Sequence, residues 1–369
     1  MPTELRIYLN NEAADEELLY RFREVRVDLA MGIAAEAELT LEIGADENGN
    51  WEDIESDFVQ PFSRIRVEVK PPNGDEYVAL IDGPIVGQRI ALSASPNQSQ
   101  LVLVVHDDSV LLNRFERVVL YEEQTASDIA SQIFSEFGFS ADVDSVVAAG
   151  GSLERYVVQR GTPAQLLREQ ARQHGMYFYV APGTEPGSSV GMFKTPDLTT
   201  ADYPELLLMG AERNINKFDV QYDALRPMSA RASTINVADK SVLEAQTEAA
   251  TVAALGDTAT HAITEPGSSF LALARAESGD LDAGVSAVTD YSSWAYCAEA
   301  EVAADVYPAV LKPYHVIPVV GPGGFLGGEY LISRVSHSLN DEGYRQSLTL
   351  RRNARSAGDG GSLLPGGVF

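Results

Sequence analysis

The sequence predicts a mainly β protein with α+β insertions, and three observations carry this prediction. Apolar and polar residues alternate along several short segments of the first hundred residues. Two capped amphipathic helices occur in the middle of the chain, and alternating segments return in its last third. Alternation with a period of two places one set of side chains in a core and the other set towards solvent or an interface.

Residues 1–106 carry the first group of predicted strands. Apolar residues alternate with charged ones in Val25–Leu29, Ala37–Ile43 and Ile65–Val69. The segment Pro71–Asp75 contains Asn-Gly, a strong hairpin-turn signal, and a further strand follows it. Short strands with regular turns predict a small barrel or sandwich here.

The pattern of residues 107–215 predicts an α/β unit. Thr125 has the character of an N-cap, with Asp three positions later and Gly138 where a left-handed C-cap is needed. Thr162 begins a second capping box, and Gly175 ends that helix. A strand is predicted at Met176–Val180, directly after the second helix.

Residues 216–355 predict a second β-unit that contains an insertion, 240–307. Strands begin near Phe218, and the closing strands are expected at 314–320, 329–336 and 344–352. Residues 240–290 are rich in small polar and acidic residues, which predicts loop or short surface helix. Trp294–Tyr307, rich in Ala and Glu, predicts a helix stopped by Pro308.

Residues 356–369 predict a flexible tail because of their glycine content. Its apolar residues, Leu363, Leu364, Val368 and Phe369, either dock on a neighbouring protein or remain disordered.

The charge balance limits the classes of partner. The chain has 54 acidic and 27 basic residues and a formal net charge of −27. A surface this acidic repels phosphate, so specific nucleic-acid binding is not expected. The acidic residues either keep the protein soluble or line a channel through which nucleic acid or acidic cargo slides.

Compartment signals are few. No stretch approaches about 20 uninterrupted apolar residues, so no membrane insertion is expected. The N-terminus has no basic start followed by an apolar run, so we expect no signal peptide and synthesis in the cytoplasm. Cys297 is the single cysteine, which excludes an intrachain disulfide. Its small neighbours and the lack of a visible basic setting predict a buried residue rather than a reactive thiol.

The search for catalytic chemistry assigns no catalytic, cofactor-binding or metal-binding residue. Gly187–Gly191 matches Gly-x-Ser-x-Gly, but its surroundings predict a β-hairpin loop, not a strand-to-helix nucleophile elbow. His106-Asp107-Asp108 follows a strand end, where Asp serves turns. The glycine-rich Gly321–Gly328 lacks the Lys of a phosphate loop and predicts a wide hairpin turn. The histidines have no zinc-site spacing; they are His106, His174, His261, His315 and His337.

Three stretches, in order, resemble the phage late control protein D family, which is similar to the T-even phage hub protein and the N-terminal half of VgrG. The first, Leu101–Arg114, resembles the family's strand followed by an Asp and a leucine-rich turn, and leads into Arg117–Ile129. The second, Arg155–Gly175, resembles its strand, capped helix and terminal Gly. The third, Gly328–Arg352, is similar to its final hairpin. Residues 240–290 have no counterpart in that family.

The resemblance implies two related antiparallel β-barrels per subunit with an α/β unit between them. It implies a structural baseplate hub, not an enzyme, that forms a homotrimer with pseudo-sixfold symmetry. Such a hub connects the hexameric inner tube, or tube-initiator proteins, to a trimeric spike. Other baseplate subunits are further expected partners. Strand faces that carry Arg and Glu are then expected at paired interfaces or a channel wall.

No repeat-rich needle follows the last predicted strand, so we expect the spike to be a separate polypeptide. The protein is expected in a phage tail or a phage-tail-like particle. Two alternatives remain open: a tail-associated cell-wall hydrolase, and a tail-tip protein that binds a glycan or receptor.

Overall fold

The structure is a computed structural model. It describes the chain in the ranges 3–46, 48–51, 53–72, 74, 76–95, 98–146, 156–236, 239–271, 278–303 and 306–357. Asn73 and Asp75 of the predicted turn, Arg155 and the apolar residues of the predicted tail lie outside the described residues.

The strands within these ranges fall into five sheets. They are β1 Glu4–Leu9, β2 Glu12–Ala13, β3 Phe22–Ala30, β4 Glu36–Glu42, β5 Arg64–Lys70, β6 Val78–Ala91, β7 Gln100–His106, β8 Arg117–Glu122, β9 Ser140–Val143, β10 Tyr156–Gly161, β11 Tyr177–Pro182, β12 Ser189–Lys194, β13 Leu206–Leu207, β14 Ile215–Tyr222, β15 Met228–Ile235, β16 Val242–Thr247, β17 Thr258–Ala259, β18 Gly267–Leu271, β19 Tyr296–Ala303, β20 Val316–Val320, β21 Gly328–Asn340, β22 Gly343–Arg352 and β23 Ala354–Arg355. The helices are α1 Glu16–Arg21, α2 Ala126–Glu136, α3 Pro163–Gln173, α4 Thr260–Ile263 and α5 Ser278–Ser293, with 3₁₀ turns at Asp57–Val59 and Asp108–Asn113.

A single large sheet runs through both predicted β-units, and the mainly β prediction is confirmed. Its strand order is β14-β19-β22-β21-β3-β4-β7-β6-β5-β1-β2, with neighbours on this path antiparallel. β21 pairs with β3, so the N-terminal and C-terminal strands share a ladder of backbone hydrogen bonds. The two units are therefore hydrogen-bonded to each other rather than tethered by a linker.

Each β-unit has its own apolar core. The first core contains Ile7, Val27, Leu39 and Val67, all fully buried. The long strand β6 pairs through its first half with β5 and through its second half with β7, which bends the sheet around this core. The second core lies between β14, β19, β20, β21 and β22. The predicted closing strands are confirmed as β20, β21 and β22.

The middle of the chain forms two small sheets packed by α2 and α3. Both predicted capping boxes are present: the side chains of Thr125 and Thr162 each accept a hydrogen bond from the third residue of their helix. The predicted C-terminal glycines, Gly138 and Gly175, have φ of +75° and +69°. Such positive φ values favour glycine, so these helix ends follow from the local sequence.

The predicted character of residues 240–290 is wrong. These residues supply β16 and β18, which flank β15 in a three-stranded sheet, and α5 packs against that sheet. The core between them is made of small residues, with Ala230, Ala232, Leu281 and Val285 buried. Small side chains allow the helix to pack closely on the sheet. Because these side chains are only weakly hydrophobic, the sequence of this segment resembles that of a loop.

The helix predicted at Trp294–Tyr307 is also wrong, because most of this segment is strand β19, paired on both sides. Tyr296, Ala298, Ala300 and Val302 are buried on one face, whereas Glu299 is exposed on the other. The Ala and Glu content favours a helix, but the period-two pattern and two partner strands determine the outcome. Tyr296–Ala303 is therefore part of the large sheet.

Candidate functional site

The two motifs closest to known catalytic patterns meet in the structure. Gly187–Gly191 lies in the β11–β12 hairpin, as predicted. The Ser189 hydroxyl donates to Oδ2 of Asp108 at 2.7 Å, and the Gly187 N–H donates to Oδ2 of Asp82 at 2.8 Å. Ser189 is buried and lies against carboxylates rather than a histidine base. A Cβ at Gly191 would lie 2.4 Å from the Phe134 ring, so that glycine serves packing.

The predicted turn at His106-Asp107-Asp108 is confirmed as the start of a 3₁₀ helix with Asp107 as its N-cap. The Asp107 carboxylate accepts from the Ala35 N–H at 2.5 Å and the Ser109 N–H at 2.8 Å. Burial raises the pKa of Asp107 to about 6, although the hydrogen bonds from Ser109 and Ala35 oppose the rise. His106 lies 3.0 Å from Glu36 on the strand surface.

Arg64 joins two buried carboxylates. Its Nη1 and Nη2 donate to the two oxygens of Asp108, both at 2.9 Å, in a bidentate pair. Its Nη2 also donates to Oδ1 of Asp82 at 2.8 Å. The Asp82 and Asp108 side chains are 0 % and 3 % exposed, so the guanidinium compensates charges that water does not reach.

Arg66 connects the same charges to the hairpin. Its Nε donates to Glu68 at 2.7 Å, and Nη1 lies 3.3 Å from Asp82. The guanidinium also donates to three carbonyl oxygens of residues 183–185, at 2.8, 3.1 and 3.2 Å. The first β-unit is therefore bound to the α/β unit by a buried network of charges. We call Arg64, Arg66, Glu68, Asp82 and Asp108 the ionic seam.

The ionic seam has three carboxylates and two guanidinium groups, and Arg6, 3.5 Å from Glu68, supplies a third guanidinium at its edge. Each carboxylate faces a guanidinium, and the hairpin carbonyls accept hydrogen bonds from Nη1 and Nη2 of Arg66. Breaking such a buried network by removing one partner is costly, whereas its net contribution to stability is small. A network of this kind is suited to holding the first β-unit in a fixed position on the α/β unit.

Four tyrosines form a second junction between the units. The rings of Tyr179 and Tyr314 stack with centroids 4.0 Å apart, and Tyr177 meets Tyr314 and Tyr291 edge to face at 5.6 and 5.7 Å. The Tyr314 hydroxyl accepts from the Gly32 N–H at 2.8 Å. These residues come from β11, α5, the segment before β20 and the β3–β4 turn, so all parts of the fold meet here.

The remaining candidate residues lie apart from one another. His174 caps α3, His261 contacts the Met228 carbonyl at 3.1 Å, and His315 contacts the Pro313 carbonyl at 2.9 Å. His337 is fully buried, 2.7 Å from the Tyr344 hydroxyl, and burial lowers its pKa to about 3. Within the ranges that the structure describes, no group of three or more His, Cys, Asp or Glu residues is placed to hold a metal ion.

The prediction for Cys297 is wrong in two respects. The residue is partly exposed rather than buried, because it lies on the face of β19 opposite the apolar core. Its cross-strand neighbour on β22 is Arg351, so a basic setting exists. The glycine-rich Gly321–Gly328 connects antiparallel β20 to β21, and the predicted wide hairpin turn is confirmed.

One exposed surface is apolar and built from strands. β8 and β10 pair so that Val118, Leu120, Tyr156 and Val158 share one face, and their exposed fractions run from 39 % to 79 %. The long sheet also has open edges: among the strands that the structure describes, β14 pairs only with β19. No described helix has both the length and the apolar character needed to cross a membrane.

The ionic seam was partly visible in the sequence. The alternation Arg64, Arg66, Glu68 on β5 indicates a charged face, and the resemblance predicts such faces at paired interfaces or a channel wall. In the structure this face lies inside the chain, against the 183–185 turn. Arg66 and Thr184 are 118 positions apart, and no local pattern indicates such a pair.

Solved structures with the same fold come from phage tails and a secretion system. A 43 kDa tail protein of prophage MuSo2 from Shewanella oneidensis aligns with a TM-score of 0.65 at 14 % identity, over 95 % of this chain and 98 % of the other. A tail protein from Neisseria meningitidis MC58 aligns with a TM-score of 0.62 at 12 % identity, over 96 % and 97 %.

A third structure is an Escherichia coli component of the type VI secretion system, described as similar to T4 bacteriophage tail proteins gp27 and gp5. It aligns with a TM-score of 0.56 at 13 % identity, over 93 % of this chain and 77 % of the other. At these identities the likeness concerns the fold, which the resemblance to late control protein D predicted.

Sequence comparison gives a family under a different description. No curated protein sequence matches this chain. A family model described as the Alg8 N-terminal domain matches residues 3–341, which is most of the chain. The protein therefore belongs to the family that is described as the Alg8 N-terminal domain, and its fold is the one seen in phage tail proteins.

Proposed function

We propose that the chain is a structural tail component, and specifically a baseplate hub: a homotrimeric, pseudo-sixfold adaptor between a hexameric inner tube and a trimeric spike. The observation that carries the proposal is the pair of β-units with separate cores that β3 and β21 hold in one sheet. Three such chains present six β-units around an axis, which is the number needed to meet a sixfold ring.

The junctions between the units support this proposal. An adaptor must keep its two β-units at a fixed spacing, because a tube and a spike of different symmetry both depend on it. The β3–β21 ladder, the ionic seam and the cluster of four tyrosines all restrain that spacing. Residues 1–106 and 216–355, without the helical part of the insertion, are the proposed pair.

The similar solved structures add support from another direction. They include tail proteins and a secretion-system component, and each aligns over at least 93 % of this chain. These similarities therefore favour a role in a phage tail or a phage-tail-like particle. The partners proposed are the spike, tube or tube-initiator proteins, and neighbouring baseplate subunits.

The two alternatives have less support. A cell-wall hydrolase needs a carboxyl group poised as a general acid, yet Asp82, Asp108 and Glu68 are each paired with an arginine. A glycan-binding tip protein needs an exposed aromatic platform beside polar groups, and the stacked pair Tyr179 and Tyr314 is instead used in packing between the units.

Cryo-electron microscopy of the parent particle tests the proposal. We expect density for three copies on the particle axis, between the tube and the spike. Six copies, or copies at the periphery, would contradict the hub assignment while leaving a structural tail role open. Degradation of peptidoglycan by the purified chain would contradict both.

A further inference from the structure

A cavity of about 350 Å³ lies where the two β-units, the α/β unit and α5 meet. Its lining includes three arginines, Arg226, Arg334 and Arg351, which we call the basic wall, and three aromatic residues, Tyr177, Tyr291 and Trp294, which we call the aromatic wall. Three arginines around one cavity are unusual in this chain, which has 54 acidic residues and only 27 basic ones.

Two of the three guanidinium groups, those of Arg226 and Arg351, form no ion pair with the residues that the structure describes. Nε of Arg226 is buried and has no hydrogen-bond partner. The side chain of Arg351 makes no hydrogen bond or ion pair with the part of the chain that the structure describes. Burial lowers the pKa of Arg226, and the charge of Arg351 lowers it further, so these two cations of the cavity lining repel each other.

Three carboxylates close to the cavity, Asp28, Asp223 and Asp290, also have partners of their own. Asp223 weakly offsets the charge of Arg226, but its Oδ1 accepts from the Leu225 N–H at 3.0 Å. Asp28 pairs with the third arginine, Arg334, at 3.2 Å. Asp290, in the adjoining cavity, accepts hydrogen bonds from Thr251 and Val252. Three arginines line the cavity and two carboxylates, Asp28 and Asp223, interact with them, so positive charge is in excess.

The aromatic wall determines which chemical group the ligand can carry besides an anionic group. Trp294 is largely buried and lines the cavity beside Tyr291, which Tyr177 holds edge to face. Aromatic rings bind planar or apolar groups by stacking, while a guanidinium fork binds the two oxygens of a carboxylate or phosphate. The cavity volume is at the lower end of the range for small-molecule sites.

We propose that this cavity binds a small oxyanion, a carboxylate or phosphate attached to a planar or apolar body. Arg226 and Arg351 hold the oxyanion, and Trp294 contacts the body. The bound anion relieves the repulsion between the arginines and fastens the contact between β22 and the loop after β14. This site is independent of the hub assignment, since it needs only one chain.

Tryptophan fluorescence of the purified full chain provides the test, because Trp51 and Trp294 are its two tryptophans. The probes are inorganic phosphate and benzoate, each titrated against sodium chloride at equal ionic strength. We expect a saturable change with at least one probe and none with chloride. Response to phosphate alone or to benzoate alone identifies which oxyanion is preferred. The Trp294→Phe variant should lose the fluorescence signal, because Trp294 is the tryptophan that lines the cavity.

Substitution of the arginines assigns the site. We expect Arg351→Gln and Arg226→Gln each to weaken apparent affinity at least tenfold, and Arg351→Lys to weaken it less. Arg231→Gln, at an exposed position on β15 outside the cavity, is the matched control and should bind as the unmodified protein does. Circular dichroism establishes that each variant is folded. The proposal is overturned if neither probe gives a response beyond that of chloride, or if folded Arg351→Gln and Arg226→Gln bind normally.

Discussion

At the scale of single residues, Arg66 has the most demanding position in the molecule. It holds Glu68, Asp82 and three backbone carbonyls at once, and its side chain is 5 % exposed. Replacement by Met would leave buried charge and carbonyl oxygens without a partner. We expect Arg66→Met to lower the free energy of unfolding by about 3–5 kcal/mol, measured by chemical denaturation.

Arg89→Met is the matched control for that change. Arg89 pairs with Glu38 at 2.6 Å, but the two side chains are 63 % and 36 % exposed. An exposed pair contributes at most about 1 kcal/mol, so this variant should remain close to the unmodified protein. Equal losses for the two variants would show that the ionic seam is no more important than a surface pair.

Asp107 gives a pH-dependent prediction. Its folded pKa of about 6 lies above the ordinary 3.8, so the folded protein holds a proton that the unfolded chain releases. The stability this group contributes is fully present below about pH 3.8 and is lost as pH rises through 6. Asn at this position resembles the protonated form and removes that dependence.

We therefore expect Asp107→Asn to gain stability relative to the unmodified protein as the pH rises from 4 to 7, by about 2–3 kcal/mol. Urea unfolding at several pH values measures it. Asp197→Asn is the control, because Asp197 is exposed and its hydrogen bonds with Thr199 lower its pKa. A constant difference between Asp107→Asn and the unmodified protein across this range would contradict the pKa assignment.

At the scale of elements, the sequence predicted those helix ends that depend on interactions between residues close in sequence. The starts of α2 and α3 followed from Thr125 and Thr162, because a capping box involves residues only three positions apart. The strand β19 was not predicted, because its partners, β14 and β22, are distant in sequence and override the helix preference of Ala and Glu. The contacts of the ionic seam and the arginine cavity could not be predicted for the same reason, because their residues come together only when the units pack against each other.

The start of α3 is also a junction between elements. The Thr162 hydroxyl accepts from the Gln165 N–H and donates to Oδ1 of Asn113 at 2.8 Å, which ties α3 to the 3₁₀ helix that ends at Asn113. We expect Thr162→Ala to cost about 1–2 kcal/mol of stability in chemical denaturation. Thr162→Ser keeps the hydroxyl and should recover most of the loss. A Ser variant as unstable as the Ala variant would assign the effect to the lost methyl group instead.

At the scale of the whole molecule, the dominant property is a net charge of −27. Like charges repel one another more in the compact folded state than in the expanded unfolded chain, so self-repulsion opposes folding. Raising the salt concentration from about 10 mM to 150 mM shortens the screening length from about 30 Å to 8 Å. We expect the melting temperature at pH 7 to rise by a few degrees over this range, on the order of 1 kcal/mol of stability.

The pH dependence of this salt effect separates charge repulsion from binding of an anion. Near pH 4.4, the isoelectric point that the sequence implies, the net charge approaches zero and the salt effect should disappear. Arg351→Gln should retain the salt effect at pH 7, because a single cavity residue contributes little to the repulsion of the whole surface. A salt effect that persists at pH 4.4, or that Arg351→Gln abolishes, would mean that chloride acts at the arginines and not by general screening.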